Sequence, residues 1–171
     1  VPANAVSVSM SGGSLRSTGN RHFVAVPSAV GHDVTFHITA RDKGQVRSMP
    51  PFTFHVRKLP DPTAYMAVGN NRFRGGVLSK AQLMGTGGIH AAIDDGLLDI
   101  AFRVTGFETV FFDNMGNAVP INSNGSDFSE AQRSQFRKLS RNRRFYINKV
   151  HAIGPDGIAR VLPGTMEVIV R

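Results

Sequence analysis

Apolar and polar residues alternate strictly over residues 34–40, where Val34, Phe36, Ile38 and Ala40 are separated by Thr35, His37 and Thr39. Successive side chains of an extended chain point to opposite faces, so a period of two demands a half-buried strand and excludes a helix there. Phe52, Phe54 and Val56 repeat the pattern against Thr53, His55 and Arg57, and residues 6–10 and 22–26 are shorter candidates. Turn-forming clusters separate these runs: Ser11-Gly12-Gly13-Ser14, Thr18-Gly19-Asn20, residues 29–33 and Asp42-Lys43-Gly44. The spacing predicts a small antiparallel sandwich over residues 1–58. It is short for a complete immunoglobulin-like domain, with first strands missing or supplied by another chain.

Leu59-Pro60-Asp61-Pro62 interrupts the pattern. Two prolines within three residues stiffen the backbone and remove ladder donors, so residues 59–62 are expected to form a short linker. Residues 63–171 read as a second sandwich, with strands expected at 63–68, 97–105, 108–112, 144–153, 158–162 and 166–170. Leu98, Ile100, Phe102 and Val104 are expected to share one apolar face. Ile153-Gly154-Pro155-Asp156-Gly157-Ile158 predicts a hairpin, because proline presets the turn and glycine supplies positive φ. Two short helices open with a Ser-x-x-Gln capping box: Ser79…Gln82, ending near Gly85, and Ser129…Gln132, running to about Leu139. Phe128, Phe136 and Leu139 give the second helix an apolar edge. The expected fold class is all-β: two tandem antiparallel, Ig-like β-sandwiches, the second carrying one or two short helices.

Composition narrows the function more than it defines it. With 41% hydrophobic and 19% charged residues the chain can bury a core, and no apolar run approaches the roughly 20 residues that span a bilayer. The absence of cysteine removes disulfides, thiolate metal sites and cysteine nucleophiles together. The chain begins at Val1 without an initiator Met, signal peptide or lipobox, so it is expected to be a piece of a longer protein. His22, His32, His37, His55, His90 and His151 show no metal-ligand spacing. Asp94 and Asp95, with Asp99 nearby, read as a turn before a strand rather than as catalytic or calcium-binding carboxylates. Gly85-Thr86-Gly87-Gly88 lacks the Lys-Ser/Thr of a phosphate-binding loop, and Ser123, Ser126 and Asp127 have no partner histidine in a recognisable motif. The expectation is a non-enzymatic protein with no catalytic, cofactor-binding or metal site.

The net charge of +8 is uneven: seven Lys/Arg stand against two Asp/Glu in residues 1–58, and thirteen against ten in residues 59–171. Arg133, Arg137, Lys138, Arg141, Arg143, Arg144 and Lys149 fall within seventeen residues spanning helix, turn and strand. A nucleic-acid surface would combine such a cluster with exposed aromatics. Phe145 and Tyr146, as strand neighbours, point opposite ways, so at most one is exposed. Two readings stay open for the cluster: a solvated face, or a docking surface for an acidic protein. Arg137, Lys138, Arg141, Arg143, Arg144 and Lys149 are the candidate protein-binding residues.

Several segments, in order along nearly the whole chain, resemble the GldM/PorM family. They are Ser9-Met10-Ser11-Gly12-Gly13-Ser14; residues 54–62, from Phe54 to Pro62; residues 123–136, where Gly125, Phe128 and Ser129 open the second helix; and residues 147–157, followed by Arg160 and Leu162. The resemblance implies the C-terminal periplasmic part of an inner-membrane-anchored component of the type IX secretion and gliding machinery. It implies an elongated homodimer that couples an inner-membrane motor to an outer-membrane-associated ring of the PorK/PorN (GldK/GldN) type. It implies that the membrane is reached only through an N-terminal anchor outside this sequence. The Arg141–Arg144 stretch departs from the milder turn expected of the family. The alternative reading is a surface adhesin or carbohydrate-binding sandwich. That reading wants aromatic platforms, whereas the chain has no Trp and only Tyr65 and Tyr146.

Overall fold

The computed structural model describes residues 5–20, 22–94, 96 and 98–171. The chain divides into two compact units, Val1–Leu59 and Pro60–Arg171. Residues 56–62 belong to no strand. The fold is mainly β throughout.

In the first unit, β1 (Val6–Ser11) pairs antiparallel with β4 (Asp33–Asp42), in register from Val6↔Ala40 to Ser11↔Thr35. On its other edge β4 carries β5 (Gln45–Ser48) and β6 (Phe52–His55). Between β1 and β4 the chain forms a separate hairpin of β2 (Gly13–Gly19) and β3 (His22–Pro27). Sequence patterning placed Gly13 and Gly19 in turns and missed β2 and β5, which are almost wholly exposed and carry little apolar alternation. Gly13 is required for packing: a Cβ there would lie 2.4 Å from the Val26 carbonyl oxygen. Val34 is the one buried side chain among the unit's described residues. Val6, Val8, Leu15, Phe23, Phe36 and Phe54 instead line an open apolar groove of about 560 Å³.

The second unit is built around a long antiparallel ribbon. Its early strands are β7 (Thr63–Val68), β8 (Asn71–Phe73), β9 (Gly76–Leu78), β10 (Ile89–Asp94) and β11 (Asp99–Phe112), with α1 (Lys80–Gly85) between β9 and β10. There follow β12 (Ala118–Ser123), α2 (Glu130–Lys138), β13 (Arg144–Ile153), β14 (Ala159–Val161) and β15 (Met166–Val170). β11 and β13 form the ribbon; β10 and β12 pair with β11, and β14 and β15 with β13. β9 lies parallel to β15, so the expected purely antiparallel arrangement needs one correction.

The strands expected at 97–105 and 108–112 are one 14-residue strand, and the reason is a matched pair of β-bulges. Between the Val104↔Ala152 and Gly106↔His151 pairs β11 carries one extra residue; between Gly106↔His151 and Glu108↔Asn148 the extra residue is on β13. Each insertion flips the side-chain phase of its strand. On β11 the buried set passes from Phe102 and Val104 to Phe107, Thr109 and Phe111; on β13 it passes from Phe145 and Ile147 to Val150 and Ala152. Lys149 adopts a left-handed φ of 49° at the β13 bulge. Of the apolar face expected from Leu98 to Val104, Phe102 and Val104 are buried, Ile100 is half-buried and Leu98 is 38% exposed.

β10 escaped sequence patterning because Ala91, Ala92 and Ile93 are buried in succession, which replaces alternation along the second half of the strand. β12 holds Pro120 and pairs only with β11, as a proline-bearing edge strand must. Both helices start where their capping boxes predict, with Ser79 and Ser129 accepting from the backbone N–H of Gln82 and Gln132. The Gly154–Gly157 turn joins β13 to β14, with Gly157 at φ 73°.

Candidate protein-docking surface

Five phenylalanines decide where α2 sits. Phe136 contacts Phe128, Phe145 and Phe111 with ring centroids 4.9, 5.1 and 5.8 Å apart, and Phe128 meets Phe107 edge-to-face at 5.4 Å. All five are buried. This cluster seats the helix on the β11–β13 ribbon and sends its C-terminus, with Arg137 and Lys138, toward the turn before β13.

A second fixture acts at that end. Lys80, in the first turn of α1, donates from Nζ to the carbonyls of Arg137 at 2.6 Å and Leu139 at 3.0 Å. A cation in a first turn opposes its own helix dipole, but here it satisfies carbonyls that the end of α2 leaves open. The turn itself is tied to β15: Asn142 N donates to Val170 O at 2.7 Å and Val170 N to Arg143 O at 2.9 Å. Asn142 takes the left-handed φ of 66° that lets the chain reverse.

The structure keeps Arg137, Lys138, Arg141, Arg143 and Arg144 on the end of α2, the turn that follows it and the start of β13; Lys149 lies apart, further along β13, and Arg133 stands one helical turn before Arg137, where both guanidinium groups act on Glu130. Lys149 Nζ pairs with Glu108 at 3.1 Å beside the double bulge. Arg133 donates to the Gly87 carbonyl at 3.1 Å. Within the retained group Arg137 pairs with Glu130 at 2.7 Å and Arg144 with Glu167 at 3.0 Å. The Arg137 guanidinium holds the Glu130 carboxyl below its ordinary range. Lys138, Arg141 and Arg143 are exposed and have no acidic partner among the described residues. Lys80 and Arg171 join this end through α1 and β15, with Arg171 O accepting from Lys80 N at 3.4 Å. Neither was legible as part of the cluster. The only local hint was a lysine where a helix start favours acids.

Lys138, Arg143 and Arg144 line a groove of about 570 Å³ whose other wall is Phe112, Asp113 and Asn114. Phe145 faces the core and Tyr146 lies opposite it, half-buried, its hydroxyl donating to Glu167 at 3.1 Å.

Several other sequence candidates make local structural contacts. Gly88 allows close packing, since a Cβ there would meet the Ser126 carbonyl oxygen at 2.0 Å; Ser123 Oγ donates to the Asp127 carbonyl. His55 Nδ1 meets Asp33 at 2.7 Å and His90 stacks on Tyr65 at 5.5 Å. No group of three His, Cys, Asp or Glu that could hold a metal occurs among the described residues. Asp99 pairs with Arg72 at 3.4 Å; Asp95, and with it the turn expected there, lies outside the described residues.

Residues 60–171 match the GldM C-terminal domain and residues 1–57 match the GldM third domain. The chain belongs to the GldM family. No curated protein matches it. Membership makes it a component of the type IX secretion and gliding machinery, a family of structural parts. Among its described residues no helix is long and apolar enough to cross a membrane.

Proposed function

We propose that this part of the GldM family protein is a non-enzymatic, protein-binding element of a periplasm-spanning machine. In this reading it links an inner-membrane motor to an outer-membrane-associated ring of the PorK/PorN (GldK/GldN) type, and the full-length protein is anchored in the inner membrane. The observation that carries the reading is the basic end of the second unit. Its cations stand on a helix and turn fixed by the phenylalanine cluster, by Lys80 and by β15, while Lys138, Arg141 and Arg143 have no acidic partner among the described residues. With the backbone beneath these cations already tied down, docking of an acidic partner orders only their side chains. The open apolar groove of the first unit supports a homodimer, since burying such a face against a second copy removes it from water.

A carbohydrate-binding sandwich is less well supported. Tyr65 stacks on His90 beneath Arg72, and Tyr146 is held by Glu167 and Phe112. Retention of purified ring subunits by the chain tests the proposal. Arg141→Glu, Arg143→Glu and Arg144→Glu together are expected to abolish retention, and unchanged retention rejects the docking surface. Light scattering is expected to show an elongated dimer; a compact monomer would overturn the dimeric part.

A further inference from the structure

We infer that the groove between the C-terminal turn of α2 and the β11–β12 turn is a slot for an acidic protein segment that carries an apolar side chain beside its carboxylates. This rests on the docking reading and specifies its partner. Three observations lead to it.

The groove lies in a fork. The β11–β13 ladder ends at Val110↔Tyr146, beyond which Phe111 and Phe112 pair only with β12, while Arg144 and Phe145 pair with β15. The strands part there, and the space between them is the groove.

One wall is cationic, and the other presents an exposed aromatic ring beside Asp113 and Asn114. Lys138 and Arg143 stand on the first with no acidic partner among the described residues. Phe112, 40% exposed, stands on the second. Beyond it the turn projects Met115, which is 83% exposed. The turn is braced by hydrogen bonds: the Asp113 carboxylate accepts from the N–H of Met115 and of Asn117, each at 2.8 Å, and from the Asn117 amide at 2.9 Å. A thioether held outward by a braced turn suits an interface, because Met adapts its shape to an apolar partner.

The charge pattern selects a protein segment over a polyanion. Asp113 stands on the same groove wall as Phe112, and the Asn117 amide, its strongest influence, lowers its pKa, so it stays ionised. A phosphate backbone would set continuous negative charge against it. A peptide can place carboxylates on Lys138 and Arg143 and an apolar side chain against Phe112 and Met115. A second copy of the chain, itself at +8, is the poorer complement.

The test uses the intact chain and three labelled probes at low salt: a short peptide alternating Glu with Leu and Phe, polyglutamate of equal charge, and single-stranded oligothymidylate of equal charge. The mixed peptide is expected to bind best. Lys138→Glu with Arg143→Glu should weaken it about tenfold, and Met115→Ser about threefold. Arg16→Glu with Arg47→Glu, in the first unit, should leave it unchanged. The altered groove side chains are exposed, so thermal melts should match the unaltered chain. Polyglutamate binding as tightly as the mixed peptide, tighter oligothymidylate binding, or indifference to the groove changes would each overturn the inference. Ring subunits still retained after Lys138→Glu with Arg143→Glu, but released by Arg141→Glu, would overturn the groove and leave the docking reading standing.

Discussion

Arg160 Nη1 lies 3.1 Å from Asp156 Oδ1, a contact across one turn of the β13–β14 hairpin made by a side chain only 5% exposed. The same guanidinium sits 3.4 Å from Asp61 and 5.3 Å from the centre of the Phe102 ring. One buried cation thus ties the first residues of the second unit to its hairpin. Arg160→Leu removes the charge that both carboxylates face and leaves Asp156 partly buried without a counter-ion. The melting temperature is expected to fall by several degrees, and Asp156→Asn, which keeps a polar partner, should cost less.

The same pair makes stability depend on acid. Arg160 holds the Asp156 carboxyl at about 2, below its ordinary 3.8. A depressed folded-state pKa stabilises above the unfolded value, and that contribution is lost as pH falls through the folded one. Melting temperatures of the unaltered chain and of Asp156→Asn should therefore differ most above pH 4 and converge as pH falls toward 2. A difference constant across that window would show that the pair adds no pH-linked stability.

Phe136 is fully buried against three other phenylalanines, Phe111, Phe128 and Phe145. Phe136→Ala opens a cavity that a sheet and a capped helix cannot both collapse into, and should cost about 3–5 kcal/mol in chemical denaturation. Because this cluster seats α2, ring-subunit retention should weaken in the same variant even though every arginine is intact.

Gln132 is buried and joins two elements: Oε1 accepts from Ser129 N at 2.8 Å and Nε2 donates to the Ile121 carbonyl at 3.1 Å. Gln132→Leu keeps the volume and strands both partners, at a cost of about 2 kcal/mol. In the equivalent box of α1, Gln82 is exposed, so Gln82→Leu should cost less. Urea titration of the two variants distinguishes them.

Lys149 occupies left-handed backbone at the β13 bulge, where a β-branched residue is strained. Lys149→Ile should destabilise by about 1–2 kcal/mol, whereas Lys149→Gly should be near neutral, with relief of strain offsetting the lost pair with Glu108. Equal effects of the two substitutions would mean that the backbone at the bulge is not constrained.

Part of the candidate site could be read in the sequence. Arg137 to Arg144 are close along the chain, and a short helix followed by a tight turn keeps them close in space. The contribution of Lys80 could not be read, because it caps a helix that begins fifty residues later. The neutralisation of Arg137, Arg144 and Lys149 was equally hidden: Glu130, Glu167 and Glu108 reach them by helix geometry or strand register. The placing of Phe112 across the groove from Lys138 and Arg143 depends on where one ladder stops.

The sequence alone determined what acts over a few residues: the period-two strands, the two capping boxes and the glycine-proline hairpin. Each is local sterics or local hydrogen bonding. The tertiary structure decided what depends on register between distant segments. It joined two alternating runs into one bulged strand, placed β9 parallel to β15, buried Ala91, Ala92 and Ile93 of β10 in succession, and separated neutralised cations from those without acidic partners. Pairing register and burial are settled by the whole core at once, and no window of sequence contains them.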